Sequence, residues 1–343
     1  MKKLTGTAGF LACSLLVVLV SCAGDPAPDG IWRNGSEQLT QLQIDSLRNT
    51  VSEEGLRAYV RYFGFPTKNV RATGWYAQTN QQKLFVLSLE PAHFQQRILM
   101  LHGYLAHAGH FTEPARFFLE KGYAVTLVDL PGHGLSAGAP ASINSFSEYG
   151  EALHTILQSM DTTVPLSVIG HSTGCAALYE YLLHHDAVFK KMVFAAPLFK
   201  ITSQEIKTLM NNLAGSEPFK IPRITVVSQG SINNPDFISF SQTRDPFYPA
   251  MYAPRWLTAL SVWNGSFGAP QVVGWTGQLY IVQGDMDDVV DWRFNLPWYE
   301  TAFPKHKVVK YRDYPHTILN VSNDLLTPVL QDIAVFLADD STL

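Results

Sequence analysis

Five short apolar runs, at 98–101, 124–128, 166–169, 192–195 and 279–282, recur along the chain with helical stretches between them, and 307–311 adds a sixth strand candidate. A strand that is apolar on consecutive residues must be covered on both faces, and interleaved helices supply that cover. The pattern predicts an α/β domain built on a mostly parallel sheet flanked by helices. One helix carries Phe146, Tyr149, Leu153, Ile156, Leu157 and Met160 at the spacing of a single face. Residues 70–90 alternate instead, with polar turn residues at 77–82, and predict an antiparallel hairpin.

The alternation of strand and helix breaks between about 199 and 270. That stretch is too long for a plain loop and predicts a cap inserted before the next sheet strand. It is rich in aromatics, including Phe237, Phe240, Phe247, Tyr248, Tyr252, Trp256 and Trp263. They are expected to form a small core of the cap itself, or in part to line an apolar pocket. Upstream, Leu42, Leu47, Val51, Leu56 and Val60 interleave with charged residues and predict an N-terminal helix over about 40–63.

The first residues read as an address. Lys2 and Lys3 precede an apolar run of roughly 13 residues, shorter than the ~18–20 needed for a helical membrane span. The run ends Leu19-Val20-Ser21-Cys22, which is similar to a bacterial lipobox, where the Cys is lipidated and the preceding peptide removed. The expected organisation is a lipoprotein signal peptide at 1–21, a polar tether at 22–39 and a globular domain at 40–343. Processing at Cys22 would discard Cys13 and leave Cys175 as the one free thiol of 3 cysteines, so no internal disulfide is expected. The implied location is the bacterial cell envelope, with Ala23 after Cys22 favouring the outer membrane.

The sharpest chemical motif is Gly170-His171-Ser172-Thr173-Gly174, placed directly between a strand candidate and a helical run. At a strand-to-helix turn a Gly-x-Ser-x-Gly forms a nucleophile elbow that exposes the serine hydroxyl. Such a serine needs a base to take its proton and a carboxylate to orient that base. His184, His185, His306 and His316 follow Ser172. The first two lie at the end of the helix leaving the elbow, and His306 precedes a strand. His316 follows one, at the carboxyl edge of the sheet where sites form, and is the expected base. The acid should lie in the turn after strand 279–282, where Asp285, Asp287, Asp288 and Asp291 compete. The amides of Thr173, after the nucleophile, and Tyr104, after the first buried strand, are the expected oxyanion donors.

These residues lie in motifs that resemble the α/β-hydrolases of the monoglyceride lipase and lysophospholipase group, which overlaps families labelled serine aminopeptidase. The resemblance rests on His102-Gly103-Tyr104-Leu105-Ala106-His107, on the stretch from Asp129 through His133 to Ser136, on the elbow, on Gln283-Gly284-Asp285-Met286-Asp287, and on Tyr314-Pro315-His316. It implies an α/β-hydrolase fold and selects Asp287 as the acid. It also implies fatty-acyl esters such as monoacylglycerols or lysophospholipids as substrates, with no cofactor. The family often carries Met-Gly-Gly after the serine, whereas Thr173, Gly174 and Cys175 stand here. An aminopeptidase or thioesterase with the same triad is the alternative, and a non-catalytic binding lipoprotein is a third. A peptidase would need an acid near the cap for the substrate ammonium, and Glu205, Glu217, Asp236 and Asp245 are candidates.

His102, His107 and His110 are not spaced as in common helical zinc motifs, and no metal is expected. A formal net charge of −4 without a basic run argues against a nucleic-acid partner. The expected partners are a small acyl ester and, through the lipid anchor, a membrane.

Overall fold

The computed structural model describes residues 18–21, 38–78, 82–161, 163–203, 234–249 and 253–339. Among the described residues nine strands form one sheet: β1 (Val18–Ser21), β2 (Val70–Gln78), β3 (Lys83–Pro91), β4 (Arg97–Leu101), β5 (Ala124–Val128), β6 (Leu166–His171), β7 (Lys191–Ala195), β8 (Gln278–Gly284) and β9 (His306–Tyr311). Their order is β1-β2-β3-β5-β4-β6-β7-β8-β9. From β5 to β9 every neighbouring pair is parallel, while β1, β2 and β3 add an antiparallel edge. The strands predicted from continuous apolar runs, β4 to β8, are buried at every residue. The edge strand β9 is only partly buried, which is why its run tolerates Lys307 and Lys310.

The pleat divides the core into two layers. Ile98 and Met100 of β4 point into one, with Leu47, Leu56, Phe118 and Ile333. Leu99 and Leu101 point into the other, with Leu153, Leu178 and Tyr299. The first layer is closed by α1 (Gln41–Asn49), α2 (Glu53–Tyr62), α3 (Thr112–Glu120) and α9 (Asn323–Ala338). The second is closed by α4 (Ser147–Gln158), α5 (Thr173–His184) and α8 (Trp292–Ala302).

Two expectations need correction. Residues 40–63 form two helices, because Ser52 takes an extended conformation and caps α2 by accepting from the Gly55 amide. Periodicity runs through the break, since both helices bury the same face against the sheet. Among the described residues, the cap aromatics also do not form a core of their own. Between β7 and β8 lie α6 (Pro235–Thr243) and α7 (Pro254–Gly265). Phe240 and Phe247 join the first layer beside Tyr59, Tyr62 and Phe63. Trp263 stacks on Phe146 at 4.6 Å and donates to Glu180, while Trp256 donates to the Tyr149 hydroxyl. The cap is thus fastened to both faces of the body. Tyr252, Glu205 and Glu217 lie outside the described residues.

Candidate active site

The elbow follows from backbone geometry. Ser172 sits between β6 and α5 with φ 50° and ψ −111°, a conformation a residue with a Cβ adopts only when its surroundings enforce it. Its N–H donates to Ala195 at 2.9 Å, and its carbonyl accepts from Cys175 at 3.0 Å. Close packing demands the flanking glycines: a Cβ on Gly174 would meet the Leu101 carbonyl oxygen at 2.4 Å. Cys175 is buried and donates its thiol to the Gly170 carbonyl. Burial pushes that thiol well above its ordinary range, which disfavours the thiolate a nucleophilic attack would need.

The fold brings three distant side chains into one line. His316 Nε2 lies 2.9 Å from Ser172 Oγ, and His316 Nδ1 lies 2.8 Å from Asp287 Oδ2. The Asp287 carboxylate also accepts from the amides of Val289 and Val290 and from Gln283 Nε2. Burial pushes this carboxyl up, but His316 and those donors outweigh it and leave it below the usual carboxylate range. Its neighbours have other tasks. Asp285 accepts from the Asp313 amide, and Asp291 caps α8. His306 bonds to the Phe303 carbonyl, and His184 and His185 face Glu180 and Glu151. Neither set approaches Ser172.

His171 holds His316 in place. Its Nε2 donates to the His316 carbonyl at 2.9 Å, and burial together with the nearby His316 pushes it down to about 3. It is therefore a neutral strut. The residue was legible as part of the elbow motif, but its partner 145 positions away was not.

The loop after β4 is fixed by two more neutral imidazoles. His102 Nε2 accepts from the Leu130 amide while its Nδ1 donates to Gly103 O. His133 Nε2 accepts from the Leu105 amide while its Nδ1 donates to Pro131 O. Each ring holds one donor and one acceptor role, which sets its tautomer. Tyr104 follows Gly103, and its hydroxyl donates to the Ala141 carbonyl and accepts from the Ala253 amide just before α7. Its ring stacks on Trp256 of that helix. The side chain of the expected oxyanion residue is therefore built into the cap.

A second tie joins the same loop to the turn after α6. The Nε2 atoms of His107 and His110 lie 2.9 and 2.7 Å from Asp245 Oδ2, all three residues being buried. Among the described residues this is the one His, Cys, Asp and Glu group compact enough to hold a cation. Its chemistry does not fit one. The Gly109 amide donates to His107 Nδ1, so the ring proton must be on Nε2, where a metal would have to bind. The group is a hydrogen-bonded latch, and Asp245 is held well below the usual range despite burial because both imidazoles face it. Nothing in the sequence signalled that Asp245 would meet histidines about 135 residues earlier.

A mostly parallel sheet with a strained serine at the β6–α5 turn, an aspartate after β8 and a histidine after β9 defines an α/β-hydrolase. The chain belongs to the family described as serine aminopeptidase, S33, whose model matches residues 92–322. Among curated relatives, it is 23% identical over 198 residues to a monoacylglycerol lipase of Mycolicibacterium smegmatis, covering 56% of this chain and 70% of that one. It is 25% identical over 232 residues to phospholipase YtpA of Bacillus subtilis, covering 65% and 88%. In fold it is similar to a soluble variant of monoglyceride lipase from Saccharomyces cerevisiae, with a TM-score of 0.60, 14% identity and coverage of 78% and 95%.

Proposed function

We propose that this hydrolase cleaves carboxylic esters of fatty acids, with monoacylglycerols or lysophospholipids as its substrates. The observation that carries the reading is the unbroken line Ser172 Oγ to His316 Nε2 to Asp287, at 2.9 and 2.8 Å, on a strained elbow. In this mechanism Ser172 Oγ attacks the ester carbonyl as His316 Nε2 takes its proton. Asp287 keeps the other imidazole proton on Nδ1 and stabilises the imidazolium. The amides of Thr173 and Tyr104 receive the developing oxyanion. His316 then protonates the leaving alcohol, and water repeats the cycle on the acyl-enzyme.

The lipase and phospholipase named among the relatives support the substrate class. The aminopeptidase reading loses one candidate acid, since Asp245 is committed to His107 and His110. Activity on p-nitrophenyl acyl esters of graded chain length, compared with aminoacyl anilides, tests the choice. Labelling by a fluorophosphonate that disappears in Ser172→Ala is expected, and an unlabelled wild type would overturn the mechanism.

The envelope reading is part of the same proposal. A signal peptide ending at Ser21 and lipid on Cys22 would place the domain beside lipid. Processing there would also remove β1, leaving β2 as the sheet edge. Metabolic labelling with palmitate, lost in Cys22→Ser, is the expected outcome.

A further inference from the structure

Thr173 carries an unexplained polar atom. The residue is fully buried, and its Oγ1 has no hydrogen-bond partner. Buried hydroxyls are nearly always paired, because leaving one unpaired forfeits its hydration without replacing it. Other buried polar atoms in the chain are also unpaired, but this one belongs to the residue that follows the nucleophile. Ser172 is itself only 4% exposed, so the whole elbow, hydroxyl included, is screened from water.

The local chemistry names a partner. Thr173 opens α5, so its N–H is one of the helix-terminal amides that have no acceptor within the helix. In a staggered rotamer gauche to the amide, a threonine hydroxyl lies about 3 Å from its own nitrogen. An acceptor seated on that N–H can therefore accept a hydrogen bond from the hydroxyl as well. On the ester-hydrolase reading, the acceptor that arrives there is the carbonyl oxygen of the substrate, which becomes negative when Ser172 attacks.

We propose that the Thr173 hydroxyl is a third oxyanion donor, added to the amides of Thr173 and Tyr104, and that it stays unpaired in the free enzyme so that it can bond the transition state. The hydroxyl is a catalytic residue group in this role, because it touches the reacting oxygen. It donates a hydrogen bond only, and its proton stays on Oγ1 throughout. A neutral donor aimed at developing charge acts on kcat, since the ground-state carbonyl is a weaker acceptor than the oxyanion.

Two variants test this on the full chain with a p-nitrophenyl acyl ester. Thr173→Val keeps shape and amide and removes the hydroxyl; Thr173→Ser keeps the hydroxyl. The Val variant is expected to lose at least about tenfold in kcat and in kcat/KM alike. Its thermal midpoint should be equal to or above wild type, because an unpaired buried hydroxyl has gone. Thr173→Ser should stay within about threefold of wild type. A Val variant that keeps wild-type kcat, or one whose lost activity tracks a lowered thermal midpoint, overturns the proposal and makes the hydroxyl structural. A wild type without esterase activity would instead overturn the parent reading, so the two failures are distinct.

Discussion

The ring of Tyr104 stacks on that of Trp256 with centroids 3.9 Å apart and planes 20° from parallel. One residue belongs to the loop that supplies the expected oxyanion amide, and the other to cap helix α7. Together with the bond from the Ala253 amide to the Tyr104 hydroxyl, the stack makes the Tyr104 loop and the cap a single packed unit.

That unit should weaken when the hydroxyl is removed. Tyr104→Phe keeps the stack and the backbone N–H but leaves the Ala141 carbonyl and the Ala253 amide without their partner. A loss of about 1–3 kcal/mol is expected in urea unfolding. Because the amide remains, kcat should fall far less than on loss of Ser172.

On the proposed mechanism the losses of Ser172 and of Asp287 differ in magnitude. Ser172→Ala should cost on the order of 10⁶ in kcat and Asp287→Asn about 10⁴, the latter because the imidazole would take the wrong tautomer. Single-turnover rates on a chromogenic ester check both.

The latch at the turn after α6 makes a different prediction. Asp245→Asn removes the charge that two imidazoles face and should destabilise the fold by about 1.5–3 kcal/mol, read as a lower urea midpoint. Added Zn²⁺ should leave the wild-type thermal midpoint unchanged, because His107 Nδ1 already accepts the Gly109 amide. A zinc-dependent rise would show that this tautomer argument fails.

Acid should unfold the protein early. Burial pushes His102 well down and His133 to about 4, and each ring already accepts a backbone amide at Nε2. In the unfolded chain a histidine takes up a proton near pH 6.5. Between that pH and about 4 the unfolded state binds the extra proton, so stability falls as pH falls, by up to about 1.4 kcal/mol per histidine per pH unit. Unfolding midpoints measured from pH 7 to 4 should show this slope, and His133→Asn should reduce it.

The strands were legible because they need nothing beyond local composition: a run such as 98–101 is apolar on every residue and can only be an interior strand. The elbow was legible for a similar reason, since a Gly-x-Ser-x-Gly at a strand-to-helix junction is a short-range backbone requirement. His316 followed from chain order and its place after a strand. Asp287 did not follow from its own turn, where four aspartates compete, and needed the family resemblance to be chosen. In the fold, Asp287 is the one of the four that bonds to His316, while Asp285 and Asp291 satisfy backbone amides.

The amino-acid sequence by itself determined the sheet, the elbow and the residue types of the site, because each is fixed by contacts within a few residues or by an alternation the chain carries along its length. Only the tertiary structure decided which residues support them. His171 beneath His316, Asp245 against His107 and His110, and Tyr104 against Trp256 are pairings between segments more than 130 residues apart. No local propensity encodes such a meeting. It arises when the layers of the fold close and buried polar atoms must find partners or, at Thr173 Oγ1, remain without one.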